Sequence, residues 1–431
     1  MADDAMRAFL ERVGRWEGFE VVNVTIDDER KPDALGDLTP RLVIELRAKA
    51  DTPRRCSRCG AAVVAIHDLS PRRVRDLPIA EWDTWLIVPR VRVQCPRCGP
   101  TIEAVPWLDR YQRMTKRLAE RIARLAQVLP IQQVATWFGV HWETVKQIDQ
   151  RALAARLGPL EAVEFRGVRR IAIDEFALHR GQTYATLVVD VETKRVLWVS
   201  RGRDAAALTG FFTQLGPAGC AAIEAVVIDL AVPFVKAVRQ HCPQAAIVYD
   251  LFHALARYTA QVLDRVRMDE ANRLALPSRH RHRTRAERVR RCLTGKGVRW
   301  LLLRNGATLR SREEHVRLRE LLAANRPLFI VYVLKEDLRA LWHYRSPAAA
   351  RRAWTHWYRR ACESAMPAVV RFANRLALVA DYIINHARYP MHTSLLEGIN
   401  NKIKVMKRMA YGYRDIPYFF LKIRAAFPGI P

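Results

Sequence analysis

The stretch Arg169-Arg170-Ile171-Ala172-Ile173-Asp174-Glu175-Phe176-Ala177-Leu178 decides the fold of the central part of the chain. Its apolar, β-type composition predicts a strand that carries an acid, Asp174, in its middle. Tyr184 to Val191 and Arg195 to Ser200 have the same character, and only the short polar turn Glu192-Thr193-Lys194 separates them. Together the three segments predict an antiparallel meander.

Two helix and strand pairs follow the meander. Asp204 to Leu215 and Pro233 to His241 are predicted helices, whereas Ala225 to Asp229 and Ala245 to Asp250 are short apolar runs typical of buried strands. The resulting order of elements, β-β-β-α-β-α-β, is that of a ribonuclease-H-like core.

Upstream, a short helix and two strands, Phe19 to Ile26 and Arg41 to Arg47, are predicted within residues 1–50. Two C-x-x-C pairs follow, and β-type sequence lies between them. Two such knuckles place four thiolates around one ion, which predicts a closed, tetrahedral, structural zinc site. The alternative is a core that holds four reduced thiols, and His67 is predicted to be a surface residue rather than a ligand. The predicted zinc ligands are Cys56, Cys59, Cys95 and Cys98.

Residues 115 to 157 predict three helices, and the second and third have the apolar spacing of a helix-turn-helix around Gly139. His141 to Arg151 would then be the recognition helix. A plain helical hairpin gives similar periodicity and is the alternative. The recognition helix would expose Glu143 and the four predicted DNA-binding residues His141, Lys146, Gln147 and Gln150.

Charge indicates the class of partner. The chain of 431 residues has 72 Lys plus Arg against 44 Asp plus Glu, a net charge of +28, which draws polyanions and makes nucleic acid the leading partner. No apolar run reaches the roughly 18 residues of a membrane-spanning helix. The start Met1-Ala2-Asp3-Asp4 lacks the basic and apolar regions of a signal peptide, so we expect a cytoplasmic protein.

Between Asp250 and Tyr389 the sequence predicts a mainly helical, strongly charged insertion. The segment from Arg279 to Arg299 is the densest in cations and is expected to contact the DNA backbone, although some of it would be ordinary solvated surface. Three tryptophans near its end are predicted to pack in a core rather than to stack on bases. They are Trp342, Trp354 and Trp357.

The segment Ser394 to Arg408 predicts a cationic helix headed by an acid, Glu397. At 3.6 residues per turn one face carries Glu397, Asn401, Lys404 and Arg408, and the opposite face is largely apolar. A carboxylate beside cations suits a metal held against a phosphodiester. The alternative is a solvated amphipathic helix with ordinary ion pairs. The cations expected to hold the DNA backbone are Lys402, Lys404, Lys407 and Arg408.

Phosphodiester chemistry with two divalent ions requires several converging carboxylates, and Mg²⁺ (or Mn²⁺) prefers such oxygen ligands. In a ribonuclease-H-like core the acids lie in the first strand, after the fourth strand and on a later helix, which are the places of Asp174, Asp229 and Glu397. Salt bridging of Asp174 and helix capping by Asp229 are the structural alternatives. Asp250 competes for the second position, and His253 is a possible auxiliary residue.

The chain resembles insertion-sequence transposases of the ISL-three family, which are DDE, ribonuclease-H-like transposases. The resemblance implies double-stranded DNA as the partner, a DDE triad on Asp174, Asp229 and Glu397, cleavage at the terminal inverted repeats, strand transfer into target DNA, and a homodimer or higher homo-oligomer. It rests on the paired cysteines, the helix-turn-helix, Ile173-Asp174-Glu175-Phe176, Ile228-Asp229, Tyr249-Asp250-Leu251-Phe252-His253, Lys335-Glu336-Asp337-Leu338, Glu397-Gly398-Ile399-Asn400-Asn401-Lys402-Ile403-Lys404, Lys407-Arg408 and Ala410-Tyr411-Gly412-Tyr413.

We therefore expect a multidomain α+β and α/β protein that acts as a metal-dependent DNA transposase. A sequence-specific repressor or a domesticated, inactive transposase relative is the alternative. The predicted domains are a β-rich segment (1–50), a zinc-ribbon-like domain (51–108), a helix-turn-helix domain (109–165), the first part of the ribonuclease-H-like core (166–260), a helical basic insertion (261–390) and the C-terminal helix of the core with the catalytic Glu (391–431).

Overall fold

The structure is a computed structural model that divides the chain into two compact units. Unit 1 comprises Met1–Gly158 with Lys407–Lys422, and unit 2 comprises Pro159–Met406 with Ile423–Pro431. The residues that the structure describes are 2–27, 40–179, 181, 183–229, 231–274, 287, 290, 293–294, 301–302, 309, 311–391 and 394–430.

Unit 1 begins with the helix Ala2–Gly14 and a five-stranded sheet. The sheet has the order β1-β2-β4-β3, with β5 paired to β4. The pairing of β2 with β4 is parallel and the other pairings are antiparallel. Alternate residues of β4 are buried, because one face of the strand packs on the core. The strands are β1 Phe19–Asp27, β2 Arg41–Ala48, β3 Ile66–Arg75, β4 Asp83–Cys95 and β5 Gly99–Ile102.

Three helices follow in unit 1, as the sequence predicts. They are Lys116–Ala126, Ile131–Phe138 and Trp142–Leu157. Thr115 caps the first helix, because its side chain accepts a hydrogen bond from Leu118 N. The helices share an apolar cluster built from residues at helical spacing, Leu118, Ile122, Val134, Ala135, Phe138, Val145 and Ile148.

Unit 2 contains a second five-stranded sheet of order β10-β9-β6-β7-β8. The antiparallel pairing of β6 with β7 and of β7 with β8 confirms the predicted meander. The pairings of β6 with β9 and of β9 with β10 are parallel. All four residues of β9 are buried, as expected for a strand inside a parallel sheet. The strands are β6 Arg170–Ala177, β7 Tyr184–Asp190, β8 Val196–Arg201, β9 Ala225–Ile228 and β10 Ala246–Tyr249.

Helices cover the sheet of unit 2 and form a second, larger core. The helix that links β8 to β9 is kinked at Gly216, which precedes Pro217. The described helices are Ala206–Ala222, Val232–His241, Leu251–Tyr258, Asp264–Arg273, Arg312–Ala324, Arg326–Ala340, Pro347–Glu363, Pro367–Ala377, Ala380–Arg388, Ser394–Met409 and Ile416–Ala426, of which the last two continue into or out of unit 1.

The predicted core position of the three tryptophans is confirmed, because Trp342, Trp354 and Trp357 are all buried within the helical cluster. Most of the cationic segment from Arg279 to Arg299 lies outside the described residues. None of the helices in the described ranges combines the length and the apolarity that crossing a bilayer requires.

Candidate functional sites

The four predicted zinc ligands come together in unit 1. Cys56 and Cys59 lie in the loop before β3, whereas Cys95 ends β4 and Cys98 lies in the turn to β5. Their sulphur atoms all lie within 4.8 Å of one another, and Cys59 Sγ is 3.6 Å from Cys95 Sγ. Tetrahedral Zn–S bonds of about 2.3 Å place two sulphurs about 3.8 Å apart. The donor set therefore fits a zinc ion.

The local backbone favours this cluster. Gly60 and Gly99 follow the second cysteine of each pair and have φ angles of 70° and 69°, which a residue with a Cβ adopts only with strain. The backbone N–H groups of Cys59 and Arg58 donate to the sulphur of Cys56 and lower the pKa of this thiol to about 6 despite its burial. A thiolate that is already favoured is the form that binds a metal.

The helix-turn-helix has the turn that the sequence predicts. Gly139 ends the helix Ile131–Phe138 in the left-handed conformation, with φ of 56°. His141 then caps the recognition helix, because its Nδ1 accepts a hydrogen bond from Glu143 N at 3.3 Å. Gln147 is exposed, and Gln150 is partly exposed. This end of the helix offers polar side chains to a ligand.

Lys146 differs from its neighbours on the recognition helix. Its Nζ lies 2.9 Å from Asp415 Oδ2, and 21% of its side chain is exposed. The ammonium group also lies 6.0 Å from the centre of the Tyr418 ring. Lys146 is therefore held by the C-terminal segment of unit 1, and its predicted contact with DNA stays a prediction.

A buried polar network, which the sequence reasoning missed, holds the same segment. Asp149 is fully buried in the recognition helix and accepts hydrogen bonds from Gln127 Nε2 at 2.9 Å and from the Tyr418 hydroxyl. Lys422 Nζ lies 2.9 Å from the same carboxylate and also donates to Ala126 O. The one available sequence signal was a charged residue on the apolar face of a helix.

The acids of unit 2 are brought together by strand register. Ile173 of β6 is paired with Ile228 of β9, and Ile228 is paired with Tyr249 of β10. Asp174, Asp229 and Asp250 each follow one of these residues. Because the three strands are parallel neighbours, the three acids lie at the same edge of the sheet, where the carboxyl ends of parallel strands commonly bind ligands.

Asp174 is the most constrained of these acids. It is 8% exposed. Its Oδ1 accepts a hydrogen bond from Glu175 N at 2.8 Å, and its Oδ2 accepts one from Asn400 Nδ2 at 2.7 Å. Burial raises the pKa of the Asp174 carboxyl to about 6, and the charge of Asp229 adds to this, whereas the two hydrogen bonds and His253 act in the opposite direction. A buried carboxylate of this kind favours a cation nearby.

Asp229 and Asp250 have different surroundings. Asp229 is partly exposed, and its Oδ1 accepts a hydrogen bond from Ala231 N at 3.2 Å. The cap position of the next helix is Ala231, so Asp229 is not the cap. Asp250 is 5% exposed, and its Oδ2 lies 3.7 Å from His253 Nε2. His253 thus lies within reach of Asp250, and its charge also acts on Asp174.

Glu397 is exposed near the start of the helix Ser394–Met409. Ile399 and Ile403, on the predicted apolar face, are 2% and 1% exposed and anchor the helix. Asn400, one turn after Glu397, makes the hydrogen bond to Asp174. The sequence reasoning had assigned its neighbour Asn401 to the Glu397 face and missed Asn400, although the Asn-Asn pair after the acid was the available signal.

Distances limit what these acids do together. Among the described residues, the four cysteines are the one group of three or more metal-ligating side chains whose ligand atoms all lie within 4.8 Å of one another. At least one pair among Asp174, Asp229 and Glu397 is therefore farther apart. A site with two ions roughly 4 Å apart does not require every acid to reach every other. The assignment of the triad stays a prediction.

The predicted DNA-binding cations of the helix Ser394–Met409 are not equivalent. Lys402 Nζ donates to Ala426 O at 3.0 Å and lies 4.9 Å from the centre of the Phe427 ring. Lys404 and Arg408 are exposed, and Lys407 is partly buried, which lowers the pKa of its ammonium group. Lys404 and Arg408 are therefore the most accessible to a polyanion.

Comparison with known proteins adds to this geometry. Residues 171–423 match the ISL3 family of DDE transposases, whose description is "Transposase". The chain belongs to the ISL3 family of transposases. Residues 103–153 of this transposase match the helix-turn-helix domain of transposase family ISL3, and residues 52–98 match the zinc-finger of transposases IS204, IS1001, IS1096 and IS1165.

Two named relatives span nearly the whole transposase. The transposase for insertion sequence element IS1001 of Bordetella parapertussis is 44% identical over 424 residues, which cover 98% of each chain. The transposase for insertion sequence element IS1557 of Mycobacterium tuberculosis is 29% identical over 416 residues, which cover 92% of this chain and 91% of the relative. The predictions of an ISL3-family transposase with a zinc ribbon and a helix-turn-helix are confirmed.

Proposed function

We propose that this ISL3-family transposase binds the terminal inverted repeats of an insertion sequence and cuts DNA at its ends with Asp174, Asp229 and Glu397. Water attacks the phosphodiester at the transposon end and displaces a 3′-hydroxyl, which then attacks a phosphodiester of the target DNA and displaces a 3′-oxygen of the target strand. Both steps are in-line displacements at phosphorus, and neither requires a covalent bond between protein and DNA.

One observation carries the proposal. Strand register sets Asp174 and Asp229 side by side at the carboxyl edge of the sheet, and Asn400 ties the helix that bears Glu397 to Asp174. A buried carboxylate next to a second acid does not stabilise a protein core, because burying each charged group costs desolvation free energy. A cation-dependent reaction accounts for both acids.

The sheet supports a ribonuclease-H-like core. Its order, β10-β9-β6-β7-β8, follows from an antiparallel meander extended by two parallel strands on the side of the first strand. We also propose that the core is interrupted by a helical insertion. The proposed domains are those predicted from the sequence, namely residues 1–50, 51–108, 109–165, 166–260, 261–390 and 391–431.

The residues at the sheet edge fit a hard cation, since they offer carboxylate oxygens and the buried amide oxygen of Asn400. Asp174, Asp229 and Glu397 would hold Mg²⁺ or Mn²⁺, with Asp250 and His253 as auxiliary residues. When bound, such ions activate the attacking hydroxyl and stabilise the leaving oxygen. The chain itself fixes Asp174 through two hydrogen bonds and excludes most water from it.

DNA contacts are assigned by the same reasoning. His141, Lys146, Gln147 and Gln150 read the terminal repeat from the recognition helix. The cations of the helix Ser394–Met409 hold the DNA backbone near the cut, where each neutralises a phosphate. These cations are Lys402, Lys404, Lys407 and Arg408. A homodimer or larger assembly in the cytoplasm completes the proposal, because two transposon ends must be held together.

The deciding experiment incubates the protein, a labelled terminal-repeat duplex and Mg²⁺ or Mn²⁺. Asp174→Ala, Asp229→Ala and Glu397→Gln are expected to bind the duplex normally and to cut it at least roughly 10³-fold more slowly, because each loses several kcal/mol of transition-state stabilisation. Glu363→Gln, an exposed glutamate of unit 2, is the matched control and should cut normally.

Other outcomes identify the errors. If Asp250→Ala abolishes cutting and Asp229→Ala does not, Asp250 is the second ligand. If wild type and variants all bind and none cuts under either metal, a repressor or an inactive relative replaces the transposase.

A further inference from the structure

Asn400 contacts Asp174 directly, and this contact bears on how the proposed active site holds its cation. Its Nδ2 is 2.7 Å from Asp174 Oδ2. The carboxylate accepts and cannot donate when ionised, so the amide must present its N–H₂ group to it. The orientation of the Asn400 side chain is therefore fixed by chemistry, although oxygen and nitrogen of an amide look alike in shape.

The oxygen of the Asn400 amide has a different environment from the nitrogen. Its Oδ1 is buried and accepts no hydrogen bond from the described residues. A buried amide oxygen without a donor is costly, so such an atom needs an explanation. The position next to Asp174 provides one, because an oxygen acceptor there suits a cation or the water that a cation holds.

Buried apolar side chains anchor the helix around Asn400. Leu396, Ile399 and Ile403 are 4%, 2% and 1% exposed, so the helix cannot rotate without exposing apolar surface. Glu397 precedes Asn400 by one turn. A hydrogen bond from Asn400 to Asp174 therefore fixes the distance between the strand that carries the first acid and the helix that carries the third.

We infer that Asn400 is a positioning residue that holds the Asp174 carboxylate in its cation-binding orientation and couples it to the helix of Glu397. The inference rests on the proposed function, because it needs Asp174 to bind the cation. Asn400 does not touch the scissile phosphate in this assignment. It acts through Asp174, as the hydrogen-bonding partners of metal ligands commonly do.

The chain offers a close control for this inference. Asn401 has the same side chain on the same helix and is exposed, and the side-chain hydrogen bond to Asp174 in the described part of the chain comes from Asn400. Leucine has the same branching and the same number of side-chain heavy atoms as asparagine, and a good helix propensity. Asn400→Leu and Asn401→Leu therefore remove the same amide group at adjacent positions, and only the first removes the hydrogen bond to Asp174.

The experiment titrates Mn²⁺ into each protein without DNA and measures free Mn²⁺ by electron paramagnetic resonance, with the thermal midpoint and duplex affinity recorded in parallel. We expect Asn400→Leu to weaken Mn²⁺ binding about 10-fold or more, in the range typical of lost partners of metal ligands. Its cutting rate falls even at saturating Mn²⁺, whereas its thermal midpoint and duplex affinity match those of Asn401→Leu. A merely structural role would lower the midpoint and leave Mn²⁺ binding by the folded protein unchanged.

Mn²⁺ affinity and cutting of Asn400→Leu within twofold of wild type would overturn the inference. Asn400→Ala, which only truncates the side chain, replaces Asn400→Leu if circular dichroism shows that the latter is unfolded. Asp174→Ala distinguishes a failure of the proposed function from a failure of the role of Asn400 alone. If Asp174→Ala retains Mn²⁺ binding and cutting, the proposed function fails. If Asp174→Ala loses both and Asn400→Leu loses neither, only the role of Asn400 fails.

Discussion

Lys422 Nζ lies 2.9 Å from Asp149 Oδ2, and the two residues are 273 positions apart in the chain. Asp149 belongs to the recognition helix of unit 1, and both side chains are buried. The Tyr418 hydroxyl donates to the same carboxylate. The C-terminal segment Lys407–Lys422 is thus a structural part of the helix-turn-helix unit and not a tail.

Lys422→Met tests this relationship by removing the ammonium group while keeping most of the side-chain length. The substitution leaves a buried carboxylate with two neutral donors, so we expect unit 1 to lose about 3 kcal/mol of stability. Urea unfolding monitored by tryptophan fluorescence measures the loss. Duplex affinity should fall at temperatures where unit 1 begins to unfold.

Arg414→Met is the control for Lys422→Met, because Arg414 is an exposed cation of the same segment. Its stability should stay within about 0.5 kcal/mol of wild type. Equal effects of the two substitutions would show that net charge, and not the buried pair, determines the stability of unit 1.

Cys95→Ser should release the metal of the zinc ribbon. Cys95 is 1% exposed, and its sulphur lies 3.6 Å from that of Cys59. Serine replaces this buried thiolate with a hydroxyl, so the zinc loses one of its four ligands. Inductively coupled plasma analysis should find about one zinc per wild-type chain and close to none in Cys95→Ser. Cys362→Ser, outside the cluster, should keep its zinc. Wild-type protein purified without chelator that contains no zinc would contradict the assignment.

Asp174→Asn is expected to stabilise the metal-free protein. Burial raises the pKa of Asp174 from 3.8 to about 6, so the ionised carboxylate disfavours folding at neutral pH. Asparagine keeps the shape but has one acceptor oxygen instead of two, so it keeps the hydrogen bond from Asn400 only by giving up the one from Glu175 N, and this loss reduces the gain. The gain is about 3 kcal/mol at most, which corresponds to a shift of roughly two pKa units.

The pH dependence of this gain has a definite sign. Below about pH 4 the carboxyl is protonated in both states of the wild type, and the two proteins should differ little. Between about pH 4 and 6 the unfolded state ionises first, so the wild type loses stability relative to Asp174→Asn as pH rises. Above pH 6 the difference is constant. Urea unfolding in chelator at several pH values measures it, and a difference that grows toward low pH would contradict the raised pKa.

The sheet of unit 2 was predictable because local patterns determine it. The apolar, β-type composition of β6 to β8 and the apolar runs of β9 and β10 placed every strand to within about two residues. Parallel pairing then puts Asp229, after β9, next to Asp174, and Asp250, after β10, one strand farther away. Here the sequence pattern and the final fold agree at each level.

The contacts of Asn400 and Lys422 were not predictable from such patterns. A helical wheel places Asn400 and Asn401 on either side of Glu397, and only the docking angle of the helix decides which of them meets the sheet. Lys422 reaches Asp149 across 273 positions, and neither residue carries a local signal for the other. Both contacts depend on tertiary packing, which a single sequence does not encode in its periodicity.

Gln147→Ala tests whether the recognition helix reads bases. Gln147 is exposed near the middle of Trp142–Leu157, and glutamine can pair with adenine through two hydrogen bonds. We expect its loss to cost about 1–3 kcal/mol on the terminal repeat and almost nothing on unrelated duplex, measured by fluorescence anisotropy at fixed salt. Lys146→Ala should behave differently, because Asp415 already pairs its ammonium group and limits its gain from a phosphate. The slope of log duplex affinity against log salt concentration should therefore change by less than the one unit typical of a lost phosphate contact. If Gln147→Ala weakens both duplexes equally, the helix contacts the backbone alone and terminal-repeat recognition resides elsewhere in the chain.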